Sequence, residues 1–127
     1  MLHAIQRSVL TLILCLLLGQ AAGADTDEPD TTPTISVELN SVTQLDSACR
    51  LTFVAQNTLQ DDIESLVLEA VAFGTDGGVA LISLYDFQDL PALKLRVRQF
   101  DLQGKGCDDV GRILINGVQD CAGGSAT

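Results

Sequence analysis

Carboxylates are the side chains of this chain that are best placed to do chemistry. They form three clusters beside turn-forming residues: Asp61-Asp62, Asp86 with Asp89, and Asp108-Asp109. A hydrolase that works through carboxylates alone needs two of them to converge at a defined separation. Nothing in the spacing fixes such a convergence, and aspartates in loops ordinarily make turns and caps. The sequence therefore predicts no catalytic residue, and a carboxylate-dependent hydrolase is kept as the alternative function.

Histidine is almost absent from the chain. The only one is His3, which lies before the apolar N-terminal run. The rest of the chain can therefore build no Ser-His-Asp triad, no Cys-His pair and no histidine zinc ligand. No C-x-x-C spacing supports a redox role, and there is no tryptophan on which a sugar or base could stack. We predict that the protein is not an enzyme and uses neither a cofactor nor a metal.

The N-terminus has the three parts of a secretory signal peptide. Arg7 supplies positive charge, Val9 to Leu18 is apolar without a break, and the small residues Ala22-Gly23-Ala24 precede an acidic stretch. The apolar run is shorter than the ~20 residues that a membrane-spanning helix needs. Residues 1–24 are therefore predicted to be removed by cleavage between Ala24 and Asp25. The mature protein is then periplasmic or secreted.

The charge of the mature chain limits its partners. The full chain has a formal charge of −10, which becomes −11 when Arg7 leaves with the signal peptide. Phosphate backbones and anionic lipid surfaces repel so acidic a protein. We therefore expect no nucleic-acid partner and no membrane contact after cleavage. Roughly 100 residues remain, which is the size of one domain.

The mature chain divides into an acidic leader, a domain and a tail. Residues 25–34 are acidic and rich in Pro and Thr, so they are predicted to be disordered. Residues 122–127 (AGGSAT) are predicted to be a flexible tail. The domain, residues 35–121, shows apolar residues alternating with polar ones in short runs between turn residues. This pattern predicts an all-β fold, a small antiparallel immunoglobulin-like β-sandwich of about six strands.

One segment fits two structures. Ile63, Leu66, Val67 and Ala70 have helical spacing, so an α+β fold with a helix at about 60–73 is the alternative. However, this segment leads into an Asp76-Gly77 turn that is followed by a second apolar run, which is a hairpin signal. The strand is favoured because such a turn needs a strand on both sides.

Three cysteines remain after cleavage of the signal. If each of six strands reverses direction, Cys49 and Cys107 lie at the same end of the domain, whereas Cys121 lies at the other end of the last strand. We therefore predict a Cys49–Cys107 disulfide, as an oxidising compartment permits. The role of Cys121 stays open.

A basic stripe is the candidate partner-binding feature. Lys94, Arg96 and Arg98 alternate with apolar residues along one strand and hold half of the positive charge of the mature chain. They could bind an anionic partner or could pair with acidic neighbours such as Glu64 or Glu69. Pairing within the domain is favoured.

The order of several residues also carries a resemblance. Its elements are Cys49, Leu51, Phe53 and Asn57, the Asp76-Gly77 turn, Arg98 to Asp101, and Leu114 to Asn116. In this order the chain resembles small exported proteins of Gram-negative bacteria that have no assigned function. It is also similar to FxLYD-type sandwich domains. Leu84-Tyr85-Asp86 repeats part of their motif, but here it follows the Asp-Gly turn instead of preceding it. The resemblance covers most of residues 35–118 and implies the sandwich fold but no activity.

Together these features favour an exported, non-catalytic binding or accessory module of the periplasm. Its partner is expected to be a periplasmic protein, which the sequence does not identify.

The first testable prediction is that the mature protein begins at Asp25, because the small residues before it fit a signal peptidase. The intact mass of the protein recovered from the exporting cell's periplasm or medium measures this directly. A stable species that retains residues 1–24 would contradict the signal-peptide interpretation.

Overall fold

The computed structural model describes residue 23, residues 28–29 and residues 31–124. The predicted signal peptide and most of the acidic leader lie outside the described residues. Six strands and one short 3-10 turn, Cys107–Asp109, make up the domain. The strands are β1 Ile35–Gln44, β2 Ala48–Asn57, β3 Ile63–Gly74, β4 Val79–Leu90, β5 Lys94–Gln103 and β6 Val110–Ala122. None of the described residues forms a helix of the length and hydropathy that a membrane span requires.

The strands form two three-stranded antiparallel sheets. Their orders are β1-β2-β5 and β4-β3-β6. The prediction of a small all-β fold with six antiparallel strands in two sheets is confirmed. The alternative helix at about 60–73 is wrong, because Ile63–Gly74 is the central strand of the second sheet. It is buried between two neighbouring strands, and that environment outweighs its helical spacing.

The turn between β3 and β4 accounts for this outcome. Gly77 has a φ of +83°, a conformation that side chains disfavour, and Gly74 exchanges backbone hydrogen bonds with Gly77 and Gly78. The Asp76 carboxylate accepts a hydrogen bond from the N–H of Gly78 at 2.9 Å. Because this Asp-Gly turn reverses the chain tightly, the apolar runs on both sides of it pair as a hairpin.

Four aromatic rings join the two sheets. Phe53 of β2 has its ring centroid 6.0 Å from that of Tyr85, 5.7 Å from that of Phe87 and 6.0 Å from that of Phe100. Tyr85 stacks on Phe100 with 4.3 Å between the centroids. Three of these side chains are almost fully buried and Phe100 is half-buried. Because the rings come from β2, β5 and β4, they hold the sheets together on the side where β4 and β5 meet.

The predicted Cys49–Cys107 disulfide is confirmed, with 4.8 Å between the two Cα atoms. It joins the start of β2 to the 3-10 turn before β6 across a sequence separation of 58 residues. Closing a loop of this length stabilises a fold by about 4 kcal/mol in the chain-entropy model. Cys121 is a free thiol at the far end of β6. The disulfide is compatible with an extracytoplasmic location.

Asn57 ties the end of β2 to two other segments. Its side chain is fully buried, and its amide donates to the carbonyls of Asp61 and Leu90 at 2.9 Å each. Its Oδ1 accepts a hydrogen bond from the N–H of Leu59 at 2.8 Å. The end of β4 and the β2–β3 connection are therefore both held by one side chain.

Replacing Asn57 with alanine should destabilise the domain by about 2–4 kcal/mol, because buried backbone groups lose their only side-chain partner. Asn116→Ala is the matched control. Asn116 is exposed and donates to Glu69, so its loss should cost less than about 0.5 kcal/mol. Guanidinium denaturation of both variants measures the difference. Equal midpoints would show that the Asn57 contacts contribute little.

Candidate functional site

The side of the sandwich where β1 and β6 lie is incompletely covered. Residues paired across β1 and β2 point to the same face of their sheet, yet their exposure differs sharply. Leu39 is 38% exposed although its partner Phe53 is 2% exposed, and Val42 is 52% exposed although its partner Leu51 is fully buried. The inner face of this sheet therefore extends beyond the part that the other sheet covers.

The uncovered region contains an apolar groove of about 340 Å³ between the sheets. Side chains from β1, β3 and β6 line it: Ile35, Val37, Leu66, Leu68, Ile115, Val118 and Cys121. Leu66 and Leu68 are buried and form part of the core, whereas Val118 is 64% exposed. A concave apolar site of this size can hold apolar groups of a ligand.

The strands that flank the groove are both edge strands. Among the described residues, β1 pairs only with β2, and β6 pairs only with β3. Inner-facing apolar residues on these strands follow the same alternation as core residues. The sequence indicated that Ile35 and Val37 belong to a buried face. However, the alternation does not show whether the opposing sheet covers these two residues. For this reason the groove could not be found from the sequence.

The charged side chains of the two flanking strands lie on the outer faces of their sheets. β1 carries one charged residue, Glu38, and the part of β6 that follows Arg112 carries one, Asp120. Asp120 accepts a hydrogen bond from the hydroxyl of Ser65 at 2.8 Å. Glu38 alternates with Ile35 and Val37, and Asp120 pairs with Val67, so both side chains point away from the groove. No lysine or arginine occurs on β1 or on β6 beyond Arg112, so the charged residues of these strands outside the groove are acidic.

The basic stripe lies elsewhere, on β5. In the register with β2, Lys94, Arg96 and Arg98 share a face with the inward residues of β2, while Leu95 and Val97 point outward and are each 57% exposed. This polarity is the reverse of an ordinary amphipathic strand. Among the described residues, none of the three basic residues forms an ion pair with Glu64 or Glu69, and the acidic neighbour that Arg98 pairs with is Asp89 of β4.

The contacts of Arg98 account for the inward direction of this basic side chain on β5. Its guanidinium donates to the carbonyl of Phe87 at 2.7 Å and to the carbonyl of Asp89 at 3.1 Å. It also forms an ion pair with the Asp89 carboxylate at 3.5 Å. Arg98 therefore satisfies backbone groups of the edge strand β4 and bridges the two sheets. Lys94 is exposed, Arg96 is half-buried, and their binding to a partner stays a prediction.

The carboxylate clusters occupy turns and ion pairs. Asp62 accepts a hydrogen bond from the N–H of Ala92 at 2.7 Å, and Asp86 accepts one from the N–H of Gln88 at 2.8 Å. In residues 23, 28–29 and 31–124, no group of three His, Cys, Asp or Glu side chains is arranged to hold a metal ion.

The pKa values of Asp101 and Tyr85 are shifted, each by a structural cause. The Arg50 guanidinium donates to both carboxylate oxygens of Asp101, at 2.7 and 2.9 Å, and this hydrogen bond holds the pKa of Asp101 below its usual value. Burial raises the pKa of the Tyr85 hydroxyl. Asp101 belongs to a cross-strand ion pair of β2 and β5, and Tyr85 belongs to the aromatic cluster.

A second concavity, of about 400 Å³, lies beside the β3–β4 turn. Its lining includes Gly74, Asp76 and Gly78 near this turn, and Lys105 and Asp109 from the segment between β5 and β6. Because turn backbone makes most of its wall, it offers fewer fixed side-chain contacts than the groove, whose lining residues all stand on strands.

Comparisons of this chain with protein-family models, with curated proteins and with solved structures found no match. The resemblance to exported bacterial proteins and to FxLYD-type domains therefore stays a prediction.

Arg98→Met should destabilise the domain by about 1–2 kcal/mol, because the carbonyls of Phe87 and Asp89 lose a charged donor. The control is Arg96→Met. Arg96 donates to the carbonyl of its neighbour Leu95 at 3.1 Å, so its replacement should cost less than about 0.5 kcal/mol. Urea denaturation of the two variants measures this. Equal losses of stability would argue against a bridging role for Arg98.

Proposed function

We propose that the mature chain is an exported, non-catalytic binding module of the periplasm. In this proposal it holds an apolar segment of a partner protein in the groove between β1 and β6. The observation that carries the proposal is the exposure of inner-face apolar side chains, above all Val118 at 64%.

The energetics of this surface support a binding role. Exposed apolar area that faces another sheet costs free energy, and covering it contributes roughly 25 cal/mol per Å². A ligand that fills the groove therefore gains affinity without any rearrangement of the buried Leu66 and Leu68 beneath it. Natural domains retain such uncovered concave apolar surface mainly where something binds.

Two further features support export and a role without catalysis. The Cys49–Cys107 disulfide and the N-terminal signal sequence are both typical of proteins outside the cytoplasm. Of the carboxylates that the alternative, a hydrolase, would use, Asp62 and Asp86 accept hydrogen bonds from backbone N–H groups.

The proposal is tested with a soluble probe, the acetylated and amidated heptapeptide Lys-Val-Lys-Val-Lys-Val-Lys. Calorimetric titration gives its Kd, and the alkylation rate of Cys121 by iodoacetamide reports occupation of the groove, because Cys121 lines it. We expect the peptide to bind the native domain and to slow the alkylation.

A matched pair of variants locates the binding. Val118→Asp places a charge in the groove, whereas Val97→Asp places the same charge at a similarly exposed valine, 57% against 64%, on the outer face of the other sheet. Val118→Asp should weaken binding at least tenfold and Val97→Asp less than twofold. Absence of peptide binding, or equal loss in both variants, would contradict the proposal. So would hydrolysis of any substrate that a single Asp→Asn change abolishes.

A further inference from the structure

One edge of β1 pairs with no other strand of the described residues. What binds to this edge makes the proposed function more specific and rests on it. We infer that the bound segment is an extended β-strand of a partner protein, with basic residues facing solvent, that pairs with β1 along Ile35–Leu39.

The direction of the β1 backbone groups follows from the ladder with β2. The N–H of Thr58 donates to the carbonyl of Thr34 at 2.9 Å, so these residues form a hydrogen-bonded pair. Pairs in an antiparallel ladder alternate between hydrogen-bonded and non-hydrogen-bonded. In the register of Ile35 with Asn57 and Ser36 with Gln56, the hydrogen-bonded positions on β1 are the even-numbered ones. The N–H and C=O groups of Ile35, Val37 and Leu39 therefore point away from β2.

These outward groups belong to the residues whose side chains line the groove. Ile35 and Val37 contribute to its wall, and Leu39 continues the same face as their alternate neighbour. A strand that hydrogen-bonds to this edge therefore lies over the groove and directs every second side chain into it. One segment then covers the apolar surface and also hydrogen-bonds to the outward backbone groups.

The edge of β6 is less suitable for strand addition than the edge of β1. The pairing of β6 with β3 shifts register at Val67/Leu68, at Glu69/Ala70 and at Phe73/Gly74. Such bulges twist an edge and block further pairing. The stretch Ile35–Leu39 is regular, and β1 is irregular only between Leu39 and Ser41.

An acyl chain or other purely apolar ligand fits this surface less well. It would cover the outward N–H and C=O groups of Ile35 and Val37 without bonding to them, which is costly. A strand bonds to them. The two sheets also have three strands each, whereas a seven-stranded immunoglobulin-type sandwich has four and three. A strand added at β1 brings this domain to the same number.

Charge selects the partner. Glu38 lies on the outer face of β1, the face that the outward side chains of an added strand share, and the mature chain is strongly acidic. The residues of the added strand that do not enter the groove face this negative field, so lysine or arginine at those positions speeds association and strengthens binding. The same charge opposes a second copy of this chain as the occupant.

The experiment uses the native domain and three versions of the heptapeptide. In an extended peptide, the N–H groups of successive residues point to opposite edges and so form two alternate sets. N-methylation of the central valine removes one N–H from the first set, and N-methylation of the lysine that follows it removes one from the second set. Because only one set faces β1, one methylation should weaken binding about fivefold or more and the other less than twofold. The third version replaces the four lysines with glutamates and should bind at least tenfold more weakly at low salt, with the difference shrinking as salt is raised.

The outcomes separate this inference from the proposed function. Binding in the groove that both methylations leave unchanged overturns strand addition and keeps the proposed function. Equal affinity of the glutamate peptide overturns the basic character of the partner. Protection of Cys121 by decanol, with no binding of any peptide, assigns the groove to an alkyl chain and overturns both. If Cys121 becomes more protected as the protein concentration rises without any peptide, and sedimentation gives the mass of a dimer, then a second copy of the chain occupies the groove. That result overturns the partner strand.

Discussion

The packing of Phe53 against three other rings is the contact on which the rest of this structure depends. It joins β2 to β5 within one sheet and to Tyr85 and Phe87 of the other sheet. The chain has only five aromatic residues, and four of them lie in this cluster. Because these large side chains are concentrated on one side, smaller aliphatic residues are left to fill the other.

As a result, the space between the sheets is closed on one side of the sandwich and open on the other. On the β4–β5 side, the aromatic cluster and the Arg98 contacts with β4 close the space between the sheets. On the β1–β6 side, valine, isoleucine and leucine side chains line the groove. The Cys49–Cys107 bridge and the buried Asn57 fix the two ends of β2, between these sides. These two anchors and the aromatic cluster hold the frame beside which the groove lies.

Most of the fold could be predicted from local pattern. Period-two alternation indicated β1, β2 and β5, and the Asp76-Gly77 turn between two apolar runs indicated β3 and β4, although the first of these runs also fitted a helix. The Cys49–Cys107 pairing followed from counting strand reversals. The pattern was less informative for β5, where Leu95 and Val97 alternate as core residues do but point outward. Alternation assigns residues to two faces of a strand and does not say which face is inward when Arg98 can bond to backbone carbonyls across the sheets.

The sequence by itself determined the charge and indicated the all-β fold class, because these depend on residue identity and on short-range spacing. The Cys49–Cys107 pairing needed one further step, the count of strand reversals between the two cysteines. The tertiary structure alone decided the candidate site. Whether Val37 or Val118 is core or groove depends on how far one sheet extends over the other. That extent is set by strand order and by where the aromatic cluster brings the sheets together, and both arise from contacts between residues far apart in the chain.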